Sequence, residues 1–102
     1  MKILMIGDVV GKPGRQSLLH HIPLLQEKYT IDCIIANGEN CTHGFGITEK
    51  TANDLLRAGV NVITGGNHSW DRKEIIPLFD TIPTLIRPAN FPDAPGQGWC
   101  IF

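Results

Sequence analysis

The chain has 102 residues, 42% of them hydrophobic and 19% charged, with a formal net charge of −1. That length holds one domain rather than two, and the composition is that of a soluble globular protein. Lys and Arg never cluster beyond two neighbours, which argues against a protein built around nonspecific nucleic-acid binding, and no run approaches the roughly 18 apolar residues of a membrane helix.

Met1-Lys2 leads straight into a strand-like run without a signal-peptide pattern. The cysteines, Cys33, Cys41 and Cys100, are odd in number and lack C-x-x-C spacing. A disulfide framework or structural zinc site is therefore not expected, and reduced thiols fit a cytoplasmic protein.

The first predicted strand covers Lys2 to Ile6. A Gly-rich turn from Gly7 to Gly14 follows, with Pro13 near a helix start, where its missing N–H costs nothing. The spacing of Leu18, Leu19, Ile22 and Leu25 predicts a helix from Gly14 to Lys28, kinked or restarted at Pro23. A second strand covers Asp32 to Asn37, and a Gly-rich loop, Gly38 to Gly46, leads to Thr48. Thr48 is a good N-cap for a helix to Ala58, and Gly59 is placed as its stop.

The third strand covers Val60 to Thr64. Asp71 and Glu74 have capping-box spacing ahead of a short helix from Arg72 to Phe79, made irregular by Pro77. Thr84-Leu85-Ile86 is a fourth short strand, and Ala89 to Gly98 reads as loop. Gly98 to Phe102 reads as the start of a strand cut off while still apolar, so the expectation is a fragment of a longer chain; a short last strand docking the C-terminus is the alternative. Strand and helix alternate throughout, which predicts an α/β fold with a mainly parallel sheet, flanking helices and right-handed crossovers.

Each of the first three strands ends in a polar cluster: Gly7-Asp8, Gly38-Glu39-Asn40 and Gly66-Asn67-His68. Parallel pairing brings all three to the carboxyl edge of the sheet, where open α/β folds bind ligands. Taken singly, Asp8 reads as a turn cap or a metal carboxylate. Glu39-Asn40 reads as a polar turn or as ligands for two adjacent cations, because a carboxylate can bridge two ions and an Asn oxygen is a neutral, hard donor. Asn67-His68 reads as a helix-initiating loop or as a metal ligand beside a proton donor. The combination favours a metal site.

Phosphate cradling by glycines fits less well. Gly7 to Pro13 is one residue short of a P-loop and carries Pro13 in place of the hydroxyl; G-x-G-x-x-G is absent. His20 and His21 read as surface or packing residues, His43 as a solvated loop residue and Cys41 as a small packing residue. Trp70, Phe45 and Arg87 could line a substrate pocket or serve packing equally well.

Gly7 to Arg15, Asn37 to Asn40, Gly44 to Thr48, Gly66 to Asp71 and Arg87 to Pro92 together resemble the YmdB-like metallophosphoesterases, a branch of the calcineurin-like superfamily, in order and spacing along essentially the whole chain. The resemblance implies the N-terminal portion of a metallophosphoesterase α/β sandwich over residues 1–102. It also implies a phosphodiesterase acting on cyclic nucleotides, including the 2′,3′-cyclic kind, with two divalent ions, iron or manganese. Carried over, Asp8 and Asn40 would bind the first ion, Glu39 would bridge both, Asn67 would bind the second and His68 would donate a proton to the leaving oxygen. Val10 stands where the wider superfamily often has a histidine, which suits the YmdB-like branch.

Members of that family are more than twice as long and take further histidine ligands from their later half, whereas no histidine follows His68 here. The expected partners are a small phosphodiester substrate, with no membrane and no strong nucleic-acid patch; a homo-oligomer is left open. Two other classes compete with the enzyme reading: a noncatalytic remnant acting as a binding or interaction module, and a metal-free nucleotide-binding module.

Overall fold

The computed structural model describes all residues from Met1 to Phe102. The elements follow the order β1 (Ile3–Ile6), α1 (Gly11–Tyr29), β2 (Cys33–Asn37), α2 (Glu49–Ala58), β3 (Val62–Thr64), α3 (Ile75–Thr81) and β4 (Leu85–Ile86). The four strands form one parallel sheet in the order β1-β2-β3-β4. Strands joined in spatial order by crossovers of one hand put every helix on the same face.

The register separates the two faces. Leu4 pairs with Ile34, Ala36 with Ile63 and Ile63 with Leu85. These residues meet the helices through Leu18 and Ile22 of α1, Ala52 and Leu55 of α2, and Ile75 and Leu78 of α3 in one apolar core. The alternate residues, Ile3 with Cys33, Ile35 with Val62 and Thr64 with Ile86, point the other way. No helix covers that side. It forms the floor of an open groove of about 480 Å³, walled by Trp99, Cys100 and Phe102.

Several expected boundaries move. Helix α1 starts at Gly11 rather than Gly14, which puts Pro13 in its first turn, and it continues through Pro23. Pro23 is exposed, so solvent can satisfy the carbonyl it leaves without a donor. Leu19, expected on the buried face, is 60% exposed. Helix α2 has the expected Thr48 cap, completed by Thr51 into a reciprocal capping box, and stops at Gly59 with φ 112°.

Strand β3 is shorter than Val60–Thr64 because the Asn61 side chain enters the ladder: the Ile34 N–H donates to Asn61 Oδ1 at 2.8 Å, and the Asn61 N–H to the Ile34 carbonyl at 2.8 Å. The Asp71–Glu74 capping box does not form, and α3 begins at Ile75 without a side-chain cap. Asp71 is engaged elsewhere, by His68. Residues 98–102 make no strand ladder, and Ile101 and Phe102 are exposed.

Candidate metal centre

Backbone hydrogen bonds carry the pairing of the strands on into the loops. Beyond β1, the Val9 N–H donates to the Asn37 carbonyl at 3.0 Å and the Gly11 N–H to the Asn40 carbonyl at 3.0 Å. Beyond β2, the Gly38 N–H donates to the Thr64 carbonyl at 2.9 Å, and beyond β3 the Gly65 N–H donates to the Ile86 carbonyl at 2.8 Å. The three polar clusters are therefore fixed to one another at the carboxyl edge.

Two contacts join them. Asn40 Nδ2 donates to both oxygens of Asp8, at 2.9 and 3.1 Å. Glu39 Oε2 accepts the backbone N–H of His68 at 3.1 Å. The Glu39 carboxylate lies directly over Gly66, where a Cβ would push the carboxylate out of this position. Asn37 supports the turn from below, accepting the Glu39 N–H at 3.2 Å and donating to the Gly65 carbonyl at 3.3 Å. Asn67 sits exposed at the same edge.

His68 is held by a contact that its local sequence does not announce. Its Nδ1 lies 2.7 Å from Asp71 Oδ2, with both side chains partly exposed. A carboxylate accepting from Nδ1–H orients the ring and leaves Nε2 free of that contact. Ser69, fully buried, accepts the Gly66 N–H at 2.8 Å and shapes the turn that presents His68. The signal for Asp71 was its spacing three residues after His68, but the same spacing to Glu74 imitates a helix cap.

The donor set fits a hard divalent cation: two carboxylates and two amides at one edge. No group of three or more His, Cys, Asp or Glu side chains converges closely enough to hold an ion; Asp8 faces the Asn40 amide and Glu39 the His68 backbone N–H. Asn40 offers its NH₂ to Asp8; rotating that amide would present its oxygen beside the carboxylate instead.

The remaining residues take structural places. Cys41 is fully buried, and burial pushes its thiol up, against the lowering effects of hydrogen bonds with Thr51 and Thr42 and of the Arg15 charge. That is a packing residue, not a thiolate. His20, His21 and His43 are exposed. Arg87 ties down the last loop, donating Nε to the Ala94 and Gly96 carbonyls at 3.2 and 3.1 Å and Nη1 to the Pro88 carbonyl at 2.8 Å. Trp70 Nε1 donates to the Pro95 carbonyl at 3.2 Å, and its ring packs on Phe91. Phe45 is stacked under Arg72. No helix is long and apolar enough to cross a membrane.

A parallel four-stranded sheet with flanking helices, carrying carboxylate, amide and imidazole groups at its carboxyl edge, defines an α/β domain. The sequence matches the family described as YmdB-like protein over residues 4–102, and the chain belongs to that family. It is 52% identical over 99 residues to the 2′,3′-cyclic-nucleotide 2′-phosphodiesterase of Bacillus subtilis (strain 168), covering 96% of this chain and 38% of that protein.

Two solved structures share the fold. A phosphatase from Mycoplasma pneumoniae matches with a TM-score of 0.93 and 38% identity, over 100% of this chain and 38% of that one. A hypothetical protein from Thermus thermophilus matches with a TM-score of 0.89 and 40% identity, over 97% of this chain and 39% of that one. The chain thus spans less than two-fifths of the length of these relatives.

Proposed function

We propose that the carboxyl edge of this sheet is part of a metal-dependent phosphodiesterase centre acting on cyclic nucleotides, the 2′,3′-cyclic kind among them. The observation that carries the reading is the joint between Glu39 and His68. One carboxylate, seated over Gly66, accepts the backbone N–H of the residue whose ring is oriented by Asp71. The name of the Bacillus subtilis relative supports the substrate class.

In this reading Asp8 and Asn40 would hold one divalent ion, Glu39 would be shared with a second and Asn67 would bind that second ion; iron or manganese would suit these hard donors. When bound, such a pair supplies Lewis acidity toward the phosphoryl oxygens and makes an attacking water more acidic. Glu39 is kept in place by the His68 N–H and by the absence of a side chain at Gly66. His68 presents Nε2 to the departing ribose oxygen and gives it a proton, with Asp71 fixing the ring so that this edge faces the substrate. Asp71 is a positioning residue. The centre lies in the cytoplasm.

The test is hydrolysis of 2′,3′-cyclic AMP with Mn²⁺ or Fe²⁺, on the longest natural chain that carries this sequence. His68→Ala should lower kcat by about a hundredfold or more. Asp71→Asn should lower kcat by less and shift its pH profile, and Asp8→Asn should raise the Mn²⁺ concentration required. Unchanged rates for both His68→Ala and Asp8→Asn would sink the residue assignments. The competing reading, a noncatalytic interaction module, draws on the open apolar face of the sheet; neither metal binding nor turnover in that assay would favour it.

A further inference from the structure

A cleft of about 300 Å³ runs between α1 and α2, lined by Lys12, Arg15, Gln16, Lys50, Asp54 and Arg57. Lys12 and Gln16 are four residues apart on α1; Lys50, Asp54 and Arg57 follow one another at intervals of four and three on α2. Each set therefore forms one face of its helix. Asp54 receives Arg15 Nε at 3.3 Å, Lys50 Nζ at 3.1 Å and Arg57 Nη2 at 3.5 Å. Four cations thus line a cleft that holds one carboxylate, which leaves a surplus of three positive charges.

The cations differ in how far they are committed. Arg15 has a side chain only 11% exposed and also donates to the Cys41 carbonyl, so it ties α1 to the loop and to α2. Lys50 and Arg57 are 76% and 72% exposed. Ion pairs that exposed are worth little in water and give way readily to a ligand anion.

Position gives the cleft its meaning. Both helices start from the carboxyl edge of the sheet. Lys12 follows Gly11, whose N–H donates to the Asn40 carbonyl at 3.0 Å. The positive stripe therefore begins beside the Asp8–Asn40 pair. From Lys50 to Arg57 it extends seven residues along α2, about 10 Å at about 1.5 Å per residue. A line of charge leading away from an edge suits a linear polyanion better than a single small anion, which calls for donors converging on one point.

We propose that this cleft carries the phosphodiester backbone of a single-stranded oligonucleotide whose terminal phosphodiester is presented at the carboxyl edge. The proposal deepens the phosphodiesterase reading and rests on it for the chemistry at that edge; the backbone contact itself needs no metal.

Binding of a labelled RNA hexanucleotide by fluorescence anisotropy, without metal and from about 50 to 200 mM salt, tests it, with 2′,3′-cyclic AMP as competitor. The oligonucleotide should bind at least tenfold more tightly than the mononucleotide. Its affinity should fall with salt at a log–log slope of about −2, for about three phosphates at 0.7 each. The double variant Lys12→Gln, Lys50→Gln changes two exposed residues and should weaken binding about tenfold while reducing the slope to about −0.7. Lys73→Gln, also exposed but outside the cleft, should change neither. Equal affinity for oligonucleotide and mononucleotide, an unaltered slope in the double variant, or an equal loss in Lys73→Gln would overturn the proposal. Turnover of 2′,3′-cyclic AMP is scored separately, so failure of the reaction and failure of the cleft are distinguishable.

Discussion

Ile63 and Met5 are both apolar residues in parallel strands, yet Ile63 is 0% exposed and Met5 67%. The difference lies in the face each one occupies. Ile63 points toward α1, α2 and α3 with Leu55 and Leu85 around it in the core. Met5 points to the side with no helix, beside Ile3 at 52% exposure and Trp99 at 68%. Sequential strand order explains the asymmetry, since three crossovers of one hand stack all the helices on one side. Parallel sheets are usually covered on both faces, so one face here supplies the cohesion and the other remains an apolar surface. The candidate metal centre belongs to neither face. It lies on the edge between them, on loops that lead into the helices of the covered side.

The largest expected effect separates the faces directly. Ile63→Ala should cost about 2–5 kcal/mol in urea unfolding, as deletion of a closed core side chain does. Met5→Ala should cost less than about 1 kcal/mol. Equal losses would break the comparison. Thr48→Ala removes the hydroxyl that accepts the Thr51 N–H at 3.3 Å and should cost about 1 kcal/mol, recovered by Thr48→Ser. That change sharpens the contrast, because a single cap on the covered side should outweigh the loss of a whole apolar side chain on the open side.

The thiols give the smallest and most local contrast. Cys41 belongs to the covered core and Cys100 to the half-buried segment over the open face. Iodoacetamide near pH 8 should mark Cys100 well before Cys41. Burial raises the Cys41 thiol, so the folded chain keeps this proton longer than the unfolded chain. The associated stability is fully present below the unfolded thiol value of about 8.5 and is lost as pH rises through the higher folded value. The free energy of unfolding should therefore decline above about pH 8.5, and less steeply in Cys41→Ala. Identical slopes would show that the thiol does not cause the decline.

Much of this architecture is legible in the residues. The four strands are short apolar runs between turn residues, and Thr48 with Gly59 brackets α2 by local chemistry alone. The three polar clusters directly follow apolar runs in the sequence, and parallel pairing gathers them at one edge. What was not legible depends on contacts between distant positions. Asn61 shortens β3 by hydrogen-bonding across to Ile34, which no local pattern announces.

At Asp71 one spacing serves both a cap and a histidine partner, and only the packed turn decides between them. The basic cleft is invisible in a chain where Lys and Arg never exceed two neighbours: Lys12, Arg15, Lys50 and Arg57 gather only when α1 packs on α2. Leu19 continues the helical apolar pattern but falls outside the core, where its helix face meets that cleft.

We propose that Asp8, Glu39, Asn40 and Asn67, with His68 beside them, form one cation-binding edge. Substoichiometric Mn²⁺ titrated into the ¹⁵N-labelled chain tests it most directly, because paramagnetic broadening reports where the ion sits whether or not the chain turns over substrate. The amides of these five residues should broaden first, and Glu39→Gln with Asp8→Asn should abolish the selectivity. Broadening centred on His20 and His21, or the same pattern in the double variant, would contradict it.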